Sequence, residues 1–144
     1  MNTIGADQNL VDGTPRLLGD KPVGALGFGC WRLVGEDVAE ATTRIETALD
    51  CGMTLIDNAD VYGLDWGGKA FGESEALLGK VLAATPNLRH RMVLASKGSI
   101  IPGVPYVANA AYLVSAVDAS LARLQCESID LYQIHRPDMF THPA

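Results

Sequence analysis

The sequence predicts an α/β fold with a parallel sheet covered by helices. Two observations carry that prediction. Short apolar runs that read as buried strands alternate with amphipathic segments of helical period, in the order β-α-β-α-β-α-β. The last three strand runs each end on an ionisable residue, Asp57, Lys97 and His135, at spacings of 40 and 38 residues. In a parallel sheet every strand C-terminus lies on one edge, so these side chains converge where α/β proteins build their sites.

The elements follow in chain order. Residues 1–13 are polar and rich in Gly and Asp, and read as a flexible N-terminal tail before a domain spanning 14–144. Thr14 to Val23 reads as a hairpin turning near Gly19-Asp20-Lys21. Ala25 to Trp31 is short, apolar and glycine-rich, a buried strand. Over 37–51 the period changes. Val38, Ala41, Ile45, Ala48 and Leu49 share a helical face, and Gly52 is a stop signal. Met53 to Asp57 is the next strand, followed by a glycine-rich loop over 58–72. Glu73 to Ala84 is helical: Leu77, Leu78, Val81 and Leu82 are apolar, and Glu73 and Glu75 suit the first turn's positive end. Met92 to Lys97 is a strand. Asn109 caps a helix reaching about Gln125, faced by Leu113, Val117, Leu121 and Leu124. Ile129 to His135 is the last strand. No linker or low-complexity segment divides the chain.

Composition narrows the function classes. The 144 residues make one domain, and 48% apolar against 19% charged residues can bury a core. A net charge of −6 repels phosphate backbones and argues against nucleic acid as partner. Cys30, Cys51 and Cys126 form no CxxC or metal spacing, and their odd number argues against a disulfide framework; a reducing cytoplasm is the simplest location. Asp7, Asp12, Arg16 and Asp20 leave no apolar leader in the first twenty residues. The longest uncharged run, Gly98 to Val117, is broken by Pro102 and Pro105, so no membrane span is expected.

Asp57 and Lys97 at one sheet edge would form an ion pair, which on its own is compatible with a purely structural role. Tyr62 shifts that balance. It lies in I-D-N-A-D-V-Y-G (56–63), where Gly63 frees the backbone to fold the ring back over the strand ends. A tyrosine alone titrates near ~10 and is a poor proton donor at neutral pH; an adjacent ammonium favours the phenolate and eases the transfer. His135 can donate from an imidazole nitrogen to a carbonyl oxygen and fix its orientation. The four groups suit polarising and protonating a carbonyl. None supplies a hydride, so a cofactor is needed.

Other motifs fail on their chemistry. Gly63 to Lys69 fits GxxxxGK, but Ala70 stands where a magnesium-binding hydroxyl belongs, and Asp65 repels phosphate. Gly27-Phe-Gly29 is followed by Arg32 where GxGxxG needs its last glycine. Residues 57–60 lack the terminal Glu of a calcium loop, and His90, His135 and His142 have no zinc spacing, so no metal is expected. Nothing near Cys30 in sequence activates it as a nucleophile; it reads as a small buried hydrophobe.

G-F-G-C-W-R (27–32), I-D-N-A-D-V-Y-G (56–63), F-G-E-S-E-A-L-L-G (71–79), A-S-K (95–97) and the run from Ser120 to Asp138 occur in the order found in aldo-keto reductases. From about residue 14 to 138 the chain resembles the N-terminal half of that family. The resemblance implies a (β/α)8 barrel preceded by a hairpin closing its bottom. It implies a tetrad of Tyr62 as general acid, Lys97 modulating it, Asp57 pairing Lys97, and His135 orienting the carbonyl. It implies NADPH as cofactor, with Cys30, Trp31, Arg32 and Asp57 near the nicotinamide ribose. It also implies a pocket walled by Trp31, Tyr62 and His135 for a small aldehyde or ketone. A (β/α)8 barrel needs ~250 residues, and only four barrel strands are legible here. The expectation is a truncated barrel, lacking most of the cofactor site and the part that separates NADPH from NADH. The competing expectation is an inactive half-barrel acting only through self-association or partner binding. Open strand edges near 25–31 and 129–135, and the inward faces of Leu55, Leu94 and Leu131 or their neighbours, would drive that association.

Overall fold

The structure is a computed structural model that describes residues 14–64, 67–104 and 106–142. The tail expected over 1–13 lies outside the described residues. β1 (Arg16–Leu18) and β2 (Lys21–Val23) form the antiparallel hairpin, with Gly19 in the left-handed region at φ +63. Then follow β3 (Gly27–Gly29), α1 (Val38–Asp50), β4 (Leu55–Asp57), α2 (Glu73–Ala84), β5 (Val93–Gly98), α3 (Ala110–Leu124) and β6 (Leu131–Ile134). The last four strands make one parallel sheet in the order β3-β4-β5-β6. The α/β class and element order expected from the sequence are thus present.

The helices start where their caps dictate. Asp37 accepts the Glu40 N–H and Asn109 accepts the Tyr112 N–H, each satisfying a donor the first turn leaves open. Ala41, Ile45 and Leu49 of α1 and Leu77, Leu78, Val81 and Leu82 of α2 pack on Ile56 and Leu94 of the sheet to form the core. The hairpin is fastened to the sheet's lower end by Asp130, which pairs with Lys21 at 3.1 Å and Arg89 at 2.9 Å and accepts the Leu94 N–H at 2.8 Å.

Three details refine the sequence reading or depart from it. The strand expected over 25–31 stops at Gly29, and Cys30–Arg32 turns in a 3-10 helix that seats Cys30 in the core. Leu94 does not face inward with Leu55 and Leu131. The register pairs it with Ile56 beneath the helices, and Val93 and Ala95 take the inward positions beside Leu55 and Leu131, as a side-chain period of two requires. On α3 the fully buried residues are Ala116, Ser120 and Leu124, while Leu113, Val117 and Leu121 are half-buried. Among the described residues, β6 is the last strand of the sheet.

Candidate active site

Register fixes what the strand ends present. Asp57 pairs with Ala95, and Lys97 two residues on pairs with Gln133, so these polar side chains share the inner face of the sheet. The Lys97 ammonium donates to Asp57 Oδ2 at 2.9 Å, to the Asn58 carbonyl at 2.6 Å and to Tyr62 Oη at 3.2 Å. An ammonium has three hydrogens, and all three are engaged. Because Lys97 donates to Oη, the phenol hydrogen is directed elsewhere and is available for donation.

The turn after β4 carries Tyr62 back over the sheet. The Asn58 N–H bonds the Ala95 carbonyl and the Asp60 N–H the Lys97 carbonyl, each at 2.9 Å, continuing the ladder past the strand's end. The Tyr62 N–H closes on Ala59 and its carbonyl accepts the Ser74 N–H, so α2 holds the turn. Gly63 at φ +108 is required: a Cβ there would run into Glu73 and the Ala70 carbonyl.

His135 follows β6 directly, its N–H bonded to the Gly98 carbonyl at 2.7 Å. Its ring meets the Tyr62 ring edge-on, centroids 5.7 Å apart. Burial, then the positive charges of Lys97 and Arg136, hold its imidazole below the usual histidine range, outweighing Asp57. The ring is therefore neutral at pH 7, with one nitrogen donating and the other accepting. Nδ1 is buried and lacks a hydrogen-bond partner among the described residues. Trp31 stands 6.5 Å from the Tyr62 ring. Trp31, Val61, Tyr62, Leu64, His135 and Arg136 line a cleft of ≈ 460 Å³, with Ile100 on its wall.

Asp57, Tyr62, Lys97 and His135 thus lie together, with Trp31 beside them. Arg32 is exposed on the turn after β3. Cys30 stands apart: its side chain is sealed in the core, burial first and then Asp57 push its thiol up, and its carbonyl accepts Ser74 Oγ at 2.8 Å. Its thiol is not presented to the cleft. Gln133, which donates to Asp57 Oδ1 at 3.4 Å, and Asn58 were not singled out from the sequence. Their signals were weak: an inward position two residues before His135, and adjacency to Asp57.

The comparisons with known proteins agree with this geometry. The model of the Aldo/keto reductase family matches residues 25–143. The 6-dehydroglucose reductase of Novosphingobium aromaticivorans is 52% identical over 123 residues, covering 84% of this chain and 40% of that protein. The aldo-keto reductase YhdN of Bacillus subtilis is 37% identical over 121 residues, covering 78% of this chain and 34% of that protein. A solved aldo-keto reductase of Bacillus halodurans, in its holo form, superposes with a TM-score of 0.66 at 33% identity, covering 85% of this chain and 40% of that one. The chain spans about 40% of the length of such relatives, and its four parallel strands correspond to part of their barrel. Motif order, strand-end geometry and these likenesses converge, and the chain belongs to the aldo/keto reductase family.

Proposed function

We propose that this chain carries the proton-donating part of an NAD(P)H-dependent reductase of aldehydes or ketones. The observation that carries the reading is the Lys97 ammonium held between Asp57 and Tyr62 Oη, facing a cleft that His135 also lines. The donor set fits a nicotinamide cofactor at its reactive end. Asp57 is half-exposed for a ribose hydroxyl, and Trp31 offers a ring face. NADPH, when bound, supplies the hydride. The remaining work falls on this chain. His135 donates to the carbonyl oxygen and fixes its direction. Tyr62 gives its proton to that oxygen as negative charge develops there. The ammonium at 3.2 Å stabilises the charge left on Oη, and Asp57 holds the ammonium in place. Three unpaired cysteines fit a reducing compartment such as the cytoplasm.

The relative named 6-dehydroglucose reductase makes 6-dehydroglucose the first substrate to assay. The test is a chimera in which this chain replaces the matching segment of that relative, followed by NADPH oxidation with 6-dehydroglucose. Turnover supports the reading; a folded chimera without turnover overturns it.

A second reading has its own observation. β3 and β6 each have a single neighbour in the sheet, and Ile134, Met139 and Phe140 beside β6 are 50%, 92% and 89% exposed. Unpaired backbone beside apolar side chains favours association of two copies.

A further inference from the structure

The turn from Asp57 to Tyr62 contains a buried acid that the chemistry above does not use. Asp60 is 1% exposed. Its N–H donates to the carbonyl of Lys97, the residue whose ammonium reaches Tyr62. Its carboxyl meets α3 and the end of β5. Tyr112 Oη donates to Oδ2 at 3.4 Å. A Cβ placed on Gly98 would stand 2.5 Å from Tyr132 Oη and 3.2 Å from Asp60 Oδ2, so a side chain at 98 would separate Asp60 from β6. Oδ1 is buried without a hydrogen-bond partner among the described residues.

We propose that Asp60 is a positioning residue: its buried carboxyl locks the 58–62 turn against β5 and α3, and so sets where Tyr62 Oη stands relative to Lys97 Nζ. The role rests on the reading that Tyr62 and Lys97 carry the chemistry. Asp60 itself does not line the cleft that those residues face.

The charged surroundings make this lock sensitive to pH. From α2, Glu75 faces Asp60, itself fully buried and paired with Arg123 at 2.7 Å. From α3 come Arg123 and Tyr112, from β6 Tyr132, and β5 contributes the Lys97 backbone. Burial pushes the Asp60 carboxyl up to about 7, with Glu75 adding to it against the pull of Arg123. Proton exchange has a route, since Asp60, Tyr112 and Arg123 line a second pocket of ≈ 290 Å³. When Asp60 ionises, two buried carboxylates share one cation, and the turn loosens.

The experiment follows the backbone ¹H–¹⁵N signals of Tyr62 and Lys97 in the full chain from about pH 5 to about pH 9, in the native chain and in Asp60→Asn. In the native chain both signals should move together with a midpoint near 7, the value expected for Asp60. In Asp60→Asn, which keeps shape and loses the charge, that inflection should vanish, while the lower one from His135 persists. In Asp60→Ala, amide exchange at Tyr62 should quicken about tenfold relative to α1. Flat Tyr62 and Lys97 signals in the native chain, an unchanged inflection in Asp60→Asn, or unaltered exchange in Asp60→Ala each overturn the proposal. So does a native chain without a dispersed spectrum, or an Asp60→Asn chain that loses its fold. A chimera without turnover, beside the expected titration, sinks the reductase reading alone; turnover beside flat signals sinks the positioning role alone.

Discussion

The ammonium of Lys97 lies 3.2 Å from the phenol oxygen of Tyr62, although 35 residues separate them in the chain. The contact exists because β4 and β5 are parallel neighbours and the turn after β4 doubles back over the end of β5. Lys97 is thereby both a partner of Asp57 and a support for the proton donor.

Replacing Lys97 by Met in the chimera should abolish carbonyl reduction near neutral pH, because Asp57 is left without its cation and Oη without a neighbouring positive charge. Lys97→Arg should also fail, since a planar guanidinium cannot divide its hydrogens among Asp57, the Asn58 carbonyl and Tyr62 as a compact ammonium does. Steady-state rates across pH check this. Native activity in Lys97→Met would reduce the pair to a structural role.

Stability should fall as pH rises from 3.8 toward about 7, where the unfolded chain has released the Asp60 proton and the folded chain still holds it. An aspartate carboxyl ordinarily titrates at 3.8, and this one titrates at about 7 in the fold, so the folded state holds the proton more tightly. The stabilisation from the neutral carboxyl is complete below the unfolded value and is lost as pH rises toward 7. A tenfold difference in proton affinity between folded and unfolded chain is worth ~1.4 kcal/mol, so the loss approaches ~4 kcal/mol at most. His135, held low, works in the opposite direction, losing stability as pH falls below 6.5. Comparing native with Asp60→Asn isolates Asp60. The two should melt alike only at pH values below 3.8, and Asp60→Asn should melt increasingly higher from there toward neutrality. Parallel melting curves at all pH values would contradict this.

α2 and α3 pack through a glycine. A Cβ at Gly79 would collide with the Arg123 carbonyl and the Leu124 backbone, neither of which can rotate away. Ala gains ~1 kcal/mol in helix propensity over Gly, whereas overpacking costs ~1–3 kcal/mol. Gly79→Ala should therefore destabilise the fold by up to ~2 kcal/mol in urea titration. A stabilised variant would show that the two helices are not in close contact.

The isolated chain should self-associate through its open edges. Light scattering coupled to size exclusion should report at least twice the 15.3 kDa of one chain. Ile134→Lys, which places charge at the β6 edge, should shift the population toward monomer. A monodisperse 15.3 kDa native species would contradict the expectation.

Much of this was legible in the sequence because it depends on periods and strand ends. The α2 face of Leu77, Leu78, Val81 and Leu82 followed from helical spacing and is buried as expected. Asp57, Lys97 and His135 followed from their places at the ends of parallel strands, and Tyr62 from a glycine-flanked turn. What was not legible depends on packing between distant segments. Whether Leu94 or its neighbours face inward stayed open in the sequence, because a run that is apolar throughout, as in Met92 to Ala95, does not reveal which alternate residues meet the helices. The 3-10 turn over Pro86–Arg91 buries only Leu88 and leaves no period to read. Glu75 reads from the sequence as a dipole-facing acid in the first turn of a helix. It is fully buried, bonded to Ser96 from β5 and paired with Arg123 from α3, a partnership 48 residues apart that no local pattern announces.

Everything proposed for the cleft turns on Tyr62 delivering the proton. In the chimera with the 52%-identical relative, Tyr62→Phe removes one oxygen and preserves the ring's packing against Trp31 and His135. The decisive measurement is NADPH oxidation with 6-dehydroglucose by that variant beside its parent, together with cofactor affinity by fluorescence titration. Loss of the proton donor should lower the rate by ~10²–10⁴ with cofactor affinity essentially unchanged. Activity retained within about threefold, a change far smaller than loss of a general acid brings, would contradict the assignment of Tyr62.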